Sequence, residues 1–442
     1  MKLNKSVCYL LLFLLCRQHG FAQEAKTDSL LQNPTLEDCV NYALKNRPAV
    51  NQSIIDEEIG ERDIKAALAG WLPQIRGEAN ASHYLKPPVT IFNGQKLQQI
   101  GNTSNFLLQA DQNIFTNDLL LAAKGAKYTR TGNRQATELT KISTVVTVSK
   151  AFYAILTSNE QQGILNEEIA RLDKQLKDSY AQYQAGLVDK TDYKRATISL
   201  SNAKADLKRT NETLKYQYAY LKQLMGYPVN ADLKLNYSNQ RMEQQILLDT
   251  TQQVNYANRV EYKQLQTEKQ IQSLNINYYK YGFLPSLSAF INYNWVYQNN
   301  SFGNLYNQVY PNSQVGLKLA MPIFTGTRRY QNMRKAQLQD LRLDLDITET
   351  KKAINTQYEQ AMAAYKSNLN EWKTQRENVE LSKDVYNTIK LQYNEGIKSY
   401  LEVTTAETDL RSAEINYLNA LYSLLSSKLD VQQALGNITV NP

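Results

Sequence analysis

The sequence is poor in the residues from which disulfides and metal sites are built. It has three cysteines and two histidines in 442 residues, and Cys8, Cys16 and His19 lie within the first 22. A chain cleaved after residue 22 keeps Cys39 and His83, so we expect no internal disulfide, no metal site and no Cys–His dyad. Glycine-rich phosphate loops of the usual forms are also missing. These absences argue against an enzyme and against a cofactor-binding protein.

Long apolar runs and basic clusters are missing beyond the N-terminus. No stretch there approaches the roughly 20 apolar residues that a transmembrane helix needs. The formal net charge of +8 is modest for the length and is not concentrated in a run, so nucleic acid is not an expected partner. A membrane role stays open, because transmembrane strands alternate apolar and polar residues and give little hydropathy signal.

The first 22 residues have the layout of an export signal. Lys2 and Lys5 precede the apolar run VCYLLLFLLC, and small residues lead to a cleavage site after Ala22. The run is too short to span a membrane as a helix, so we predict a signal peptide at 1–22. A second interpretation has Cys16 lipidated, although Leu15 is a poor residue before an acylated cysteine.

Proline is absent from two long segments, residues 117–185 and 327–395. Each segment, if helical throughout, reaches on the order of 100 Å at 1.5 Å per residue, and helices of that length pair side by side as coiled coils. Gly186 and Gly396 follow the two segments. Glycine adopts the left-handed conformation that ends a helix and reverses the chain, so both are predicted hairpin turns.

The second half of the chain repeats the first in outline. Several landmarks recur in order at a spacing of about 210 residues, and these are Asn46 and Asn258, Gly70–Pro73 and Gly282–Pro285, Gly186 and Gly396, and Gly226 and Gly436. We therefore predict a tandem duplication with a first repeat at 23–229, an inter-repeat segment at 230–249 and a second repeat at 250–442.

Alternating residues predict one β-hairpin in each repeat, at about 72–116 and 284–325. In the second hairpin every other position from Leu287 to Tyr297 is apolar or aromatic, and this period of two indicates strands with one apolar face. A soluble β-sandwich is one interpretation of such strands. Their length of about ten residues also suits an oblique bilayer crossing.

Aromatic residues favour the membrane interpretation. Tyr293, Trp295 and Tyr297 share one face of a predicted strand, and aromatic side chains of this kind are typical of the membrane–water boundary. Four strands in one chain cannot close a barrel with room inside. Several copies of the chain are therefore expected to share one barrel.

The ordered set of features resembles the TolC-like outer-membrane efflux proteins of Gram-negative bacteria. The resemblance runs from PTLEDCVNYALKNRPAV, which starts at Pro34, through the long helices to VQQALGN near the end. It implies a mainly α fold with membrane β: in each repeat, two transmembrane strands and long coiled-coil helices. It also implies a homotrimer with one twelve-strand barrel continued by a twelve-helix periplasmic α-barrel. Segment 230–249 and the C-terminal tail are expected to form a belt around this tunnel.

The resemblance further implies a gate at the periplasmic tip. Glu402 falls where the family has an acidic ring residue, whereas Thr405 replaces a second acid. Asp192, Lys398 and Tyr393 match other gate positions, so we expect an Asp192–Lys398 link supported by Tyr393. The alternative, without the resemblance, is that Glu402, Asp192 and Lys398 are ordinary solvated charges on helix surfaces. Three copies of Glu402 around an axis would form a negative constriction that attracts cations.

The expected function is a passive exit duct for small molecules or proteins across the periplasm and the outer membrane. The resemblance implies that a periplasmic adaptor and an inner-membrane transporter open it, in efflux or type I secretion, and that outer-membrane lipid surrounds the strands. One alternative is a non-channel periplasmic coiled-coil scaffold or adaptor, and another is a secreted adhesin. Adaptors usually carry lipoyl-like β-modules beside a single helical hairpin, and the sequence has no recognisable module of that kind.

Overall fold

The computed structural model describes residues 31–440, except for the side chains of 239–241. The signal peptide predicted at 1–22 and the Cys16 alternative lie outside the described residues. Within them, two successive units each contain shorter helices, a pair of sheet strands and then two long helices.

The elements follow the same order in the two units. The first unit contains α1 (Leu36–Asn46), α2 (Pro48–Leu68), β1 (Gln74–His83), β2 (Val89–Phe92), β3 (Gln95–Gln98), β4 (Asn102–Phe115), α3 (Asn117–Gln184) and α4 (Lys190–Met225). A short helix, α5 (Asn239–Gln244), lies between the units. The second unit contains α6 (Val260–Lys280), β5 (Ser286–Asn299), β6 (Val309–Ala320), α7 (Arg328–Asn394) and α8 (Tyr400–Leu435).

Two very long helices dominate the molecule. α3 has 68 residues and α7 has 67, so each is about 100 Å long. α3 packs against α4, and α7 packs against α8, along seams whose mainly apolar residues recur every seven positions from Tyr193 to Leu221 and from Val403 to Val431. Residues buried on these seams include Leu200, Leu214 and Leu221 in α4 and Val403, Leu410, Leu424 and Val431 in α8.

The last helix of each unit, α4 or α8, ends at a glycine that is pressed against an asparagine of the same unit. Gly226 has φ of +69°, and a Cβ built on it would lie 2.5 Å from the backbone oxygen of Asn46. Gly436 has φ of +72°, and its Cβ would lie 2.9 Å from the backbone oxygen of Asn258. A side chain at either position meets both backbone strain and a steric clash. This close approach explains why glycine recurs at the corresponding position in both halves of the sequence.

The four longer strands form one antiparallel sheet in the order β1-β4-β5-β6. The units meet at the β4–β5 pair, where Phe106 lies opposite Trp295. β1 and β6 are the edges, and within the described residues no strand pairs with their outer sides. β2 and β3 form a separate small hairpin around Asn93 and Gly94, whose positive φ angles suit a two-residue turn.

The largest core lies part-way along the long helices, where α1, α3, α4, α7 and α8 meet the segment between the units. Tyr365 is fully buried there, and its hydroxyl donates to the backbone oxygen of Ile246 at 2.9 Å. α3 contributes Phe152 and Ile155 to this core. Burial of the tyrosine ring and its hydrogen bond together fix the segment between the units against α7.

One described helix is long and apolar enough to cross a membrane by length and composition. It is α3, whose best 18-residue window has a mean hydropathy of 1.3 and is 50% buried. The expectation that no such stretch follows the N-terminus is therefore wrong by this measure. Charged residues elsewhere in α3 obscure the window in the sequence, and its half-burial is that of a helix contributing to a core.

Candidate functional site: hairpin tips and exposed sheet face

Both helical hairpins turn at a glycine with positive φ. Gly186 has φ of +73° between α3 and α4, and Gly396 has φ of +76° between α7 and α8. Neither position has a neighbour within 4 Å of a built Cβ, so the left-handed conformation alone favours glycine there. These turns place the tip residues at one end of the molecule, far along the helices from the sheet.

Glu402 lies in the first turn of α8 and caps it. Its Oε2 accepts from the Ser399 backbone N–H at 2.9 Å, completing a capping box. Its Oε1 accepts from Lys398 Nζ at 2.6 Å. The Lys398 hydrogen bond, followed by those from Ser399, lowers the pKa of Glu402 to about 2. Glu402 is therefore ionised at neutral pH, and Lys398 offsets its charge within the same chain.

The expected Asp192–Lys398 link is not formed within this chain. The described residues give Lys398 one ion-pair partner, Glu402, because a lysine and a glutamate four residues apart share one face of the chain as α8 begins. Asp192 instead lies close enough to Tyr393 and Tyr400 of the second hairpin for its charge to act on both. Burial raises the pKa of Tyr393, and the Asp192 charge raises it further. The structure thus brings Asp192 near Tyr393, and Lys398 onto Glu402.

A buried ionic network above the tip joins the two hairpins. Arg411 Nη1 of α8 donates to Glu168 Oε1 of α3 at 3.0 Å, and Arg171 Nε of α3 donates to Glu407 Oε1 at 3.1 Å. Glu168 and Glu407 are 4% and 3% exposed. Burial raises the pKa of Glu168, and Arg411 counteracts that rise. These four side chains join α3 to α8 near the tip, and a third ion pair, Lys150–Asp430, joins the same helices farther from it.

Sequence analysis did not identify this network. Its available signal was the position of Glu407 and Arg411 beside the buried heptad positions of α8, where charge is uncommon. Their partners, however, lie in the other repeat. A single sequence has no local pattern that pairs charges across such a separation.

The sheet exposes its apolar face. The Cα partners across the four strands place Ile75, Leu108, Ile291 and Val315 on one face, and Val315 is 78% exposed. The opposite face is polar, with an ion pair between Arg76 and Asp111 at 3.1 Å. A sandwich core needs a cover over the apolar face, and none of the described residues provides one.

The three aromatic residues singled out on β5 share this apolar face. Tyr293 and Trp295 have ring centroids 4.4 Å apart, and Trp295 also contacts Phe106 of β4 at 5.5 Å. Tyr297 packs against Tyr306 at 5.2 Å. The cluster lies toward the end of β5 that is remote from the long helices. Aromatic rings grouped at one end of an apolar face are typical of a membrane–water boundary.

Within residues 31–440, no group of three or more histidine, cysteine, aspartate or glutamate side chains is arranged to hold a metal ion. Cys39 is fully buried, and burial raises the pKa of its thiol to about 12. A thiol with this pKa is a poor nucleophile at neutral pH.

Comparisons with known proteins agree with the geometry over most of the chain. A family described as "Outer membrane efflux protein" matches residues 39–227 and 257–437. The outer membrane protein TolC of Vibrio cholerae is 22% identical over 307 residues, which make up 67% of this chain and 68% of that protein. VceC of Vibrio cholerae has a TM-score of 0.71 and 14% identity, covering 91% of this chain and 96% of that chain. MtrE of Neisseria gonorrhoeae, an outer membrane channel in its open state, has a TM-score of 0.72 and 18% identity, covering 91% and 89%.

Proposed function

Since this chain belongs to the outer membrane efflux protein family and is an outer-membrane efflux channel, we propose that three copies of it assemble around one axis to form the complete duct. The family assignment confirms the fold class and the localisation expected from the sequence. It gives no support to the alternative of a non-channel scaffold.

The open sheet is the observation that carries the proposal. β1 and β6 are edges whose backbone donors and acceptors have no strand partner among the described residues. Unpaired backbone groups within a bilayer cost several kcal/mol each. Pairing of β6 in one copy with β1 in the next satisfies both edges. Three copies then form a closed barrel of twelve strands with the apolar face outward.

The helices extend this barrel into the periplasm. The described contacts link α2 to α3, α3 to α6, and α6 to α7, and we infer that these helices form one section of the tunnel wall. Three such sections enclose a tunnel of about 100 Å, the length of α3. We infer a route along the axis for small molecules or proteins.

We propose that the segment 230–249 and the C-terminal tail form a belt outside this tunnel. The segment lies against α7 through Ile246 and Tyr365, and against α8 through Glu243, whose carboxylate accepts from the Tyr417 hydroxyl. In the tail, Asn437 Nδ2 donates to Gln252 Oε1 at 3.3 Å. A belt at this level covers the outer surface without narrowing the route.

We propose that the tip is the gate, with Glu402, Asp192, Lys398 and Tyr393 near its narrowest point. The pairing of Glu402 with Lys398 makes the constriction less negative than the carboxylate alone. Asp192 then supplies a further negative charge next to Tyr393. An inner-membrane transporter and a periplasmic adaptor are the proposed partners that move the hairpins apart.

Planar-bilayer recording of the detergent-purified protein tests the duct. We expect a trimer that inserts and conducts, with low conductance while the tip is closed. A stable single copy with no conductance at any voltage would contradict the proposal.

Replacement of Glu402 tests the gate within the same recordings. Glu402→Gln should change cation selectivity and the block by divalent cations, because it removes a carboxylate near the constriction. Glu395→Gln is the matched control, since Glu395 is an exposed carboxylate at the end of α7. Equal effects of the two substitutions would place Glu402 outside the constriction.

A further inference from the structure

A cavity of about 320 Å³ lies between α3 and α6, next to the sheet. Its walls include four leucine side chains: Leu120 and Leu121 of α3, Leu274 of α6, and Leu284 of the loop that follows α6. The rest of the lining is polar or aromatic and comes from Asn117, Lys124, Asn277, Tyr278 and Tyr281. This size and lining suit an apolar chain or a small molecule. The described contacts between α3 and α6 belong to one chain, so the cavity does not depend on assembly.

The cavity adjoins the apolar face of the sheet. Leu284, one of its walls, lies three residues before Leu287, the first outward apolar position of β5. Three residues of extended chain span about 10 Å. The cavity therefore lies at the level where the apolar band meets the periplasm, which is the depth of lipid headgroups.

The cavity opens on the outer side of the wall, an assignment that rests on the proposed belt. Lys124, which lines the cavity, and Ser149 are separated by about seven helical turns of α3 and so share one face. Ser149 lines a different cavity together with Tyr237 of the inter-repeat segment. Since that segment lies outside the tunnel, Lys124 and its cavity face outward as well.

Two lysines lie close to the cavity. Lys124 lines it, and Lys280 Nζ lies 5.5 Å from the ring centroid of Tyr281, another lining residue. Within residues 31–440 neither lysine forms an ion pair with a described carboxylate. The nearby Asp118 accepts a hydrogen bond from the Tyr278 hydroxyl at 2.6 Å. The rim therefore carries two positive charges against one negative charge, next to the leucine part of the lining.

We propose that this cavity binds one phospholipid of the periplasmic leaflet in each copy of the chain. Lys124 and Lys280 contact the phosphate, and one acyl chain enters between the leucines. The occupant has a negative head and an apolar tail, which match the two lysines and the leucine part of the lining. A neutral amphiphile would leave the two lysines without a partner.

Native mass spectrometry of the delipidated trimer, titrated with dioleoyl phosphatidylglycerol, tests this site. We expect up to three tightly bound lipids per trimer. Dioleoylglycerol, with the same chains and no phosphate, should bind at least tenfold more weakly, and millimolar inorganic phosphate alone should not compete. Equal binding of the two lipids would overturn the proposal, and so would competition by free phosphate.

Two variants test the contacts of the lipid phosphate and of the acyl chain separately. The double substitution Lys124→Gln, Lys280→Gln should weaken phosphatidylglycerol binding at least tenfold, and Leu274→Trp should exclude the chain by filling the cavity. Lys127→Gln is the matched control, because Lys127 is exposed one turn along α3 and does not line the cavity. Loss of lipid in the control, or retention in both other variants, would reject the site.

The same preparations distinguish this inference from the proposed function. All variants should conduct like the wild type, because the site lies on the outer wall. A wild-type protein that does not trimerise or conduct refutes the duct. A conducting trimer with no selective lipid binding refutes the lipid site alone.

Discussion

At the scale of single residues, the most consequential side chains are buried charges rather than those at the tip. Glu168 and Glu407 are almost fully enclosed, and each depends on one arginine of the facing helix. Glu402 and Lys398 are both about 40% exposed, at 41% and 39%, and exposed pairs contribute little to stability. The hairpins are therefore held together above the tip, and the tip itself is free to respond to a partner.

Replacement of Arg411 should test this difference. Arg411→Met leaves Glu168 buried without its main counter-ion, which costs on the order of 3 kcal/mol. Arg62→Met is the control, since Arg62 forms an exposed pair with Glu58 and its loss costs roughly 0–1 kcal/mol. The thermal unfolding midpoint of Arg411→Met should be clearly lower than that of Arg62→Met. Equal midpoints would mean that the buried network does not stabilise the protein.

The stability loss of Arg411→Met, relative to the wild type, should change with pH in a defined direction. Burial raises the pKa of Glu168 above its ordinary value of 4.5, so the folded protein binds a proton there more readily than the unfolded chain. The stabilisation from a protonated Glu168 is present below pH 4.5 and is lost as the pH rises through the folded value. Without Arg411 the raised pKa rises further. The deficit of Arg411→Met should therefore be larger in mildly alkaline than in mildly acid buffer, and a deficit that grew on acidification would contradict this sign.

Glu402 should titrate in the opposite sense. Its pKa is lowered to about 2 from 4.5, so its contribution to the α8 cap is present above pH 4.5 and is lost as the pH falls toward 2. Lys398→Gln removes the largest cause and should move this loss to higher pH. Hydrogen exchange of the first turn of α8 across an acid series measures the shift. The start of α4, which Asp189 caps, is the internal reference and should not change.

At the scale of elements, the glycine turns are of two kinds. Gly186 and Gly226 have nearly the same φ, +73° and +69°, but Gly226 alone is pressed against a neighbouring backbone. Gly186→Ala should cost about 1 kcal/mol from backbone strain. Gly226→Ala should cost a further 1–3 kcal/mol or so from the clash with Asn46. Unfolding of the two alanine variants measures the difference directly, and equal losses would show that Asn46 moves aside freely.

The elements also show how far the sequence alone could lead. A period of two was enough to predict the paired strands, because it reflects burial along one segment, and the absence of proline over about 70 residues was enough to predict the long helices. Thr90 and Leu97 are paired in the β2–β3 hairpin. The two strands of this hairpin have only four residues each, which is too short for their alternation to be distinguished from a loop in the sequence. The Glu168–Arg411 pair joins distant repeats, and the Lys398–Glu402 pair displaced the link expected from the resemblance. The partner of Glu168 is decided by three-dimensional proximity between the repeats, whereas the partner of Lys398 follows from a spacing of four residues along the chain.

At the scale of the whole molecule, the sheet has one side for lipid and one for water. Val315 and Gln314 are neighbours in β6 and point to opposite faces, the apolar and the polar one. Val315→Arg places a charge toward lipid and should destabilise the trimer by about 2–4 kcal/mol. Gln314→Arg places the same charge toward the interior water and should be tolerated. The stability of the two variant trimers in a denaturant series checks the assignment. A Gln314→Arg trimer less stable than the Val315→Arg trimer would mean that the polar face, not the apolar face, contacts lipid.

The β2–β3 hairpin has no counterpart in the second unit, where a short 3₁₀ turn at Phe302–Asn304 occupies the corresponding stretch. Duplication alone would make the outer rim repeat six times around a trimer, whereas this hairpin recurs three times. In the proposed trimer, the extracellular rim therefore has threefold symmetry, with one β2–β3 hairpin from each copy of the chain. An epitope tag inserted between Asn93 and Gly94 would be displayed three times on the cell surface, far from the tunnel through which substrates pass.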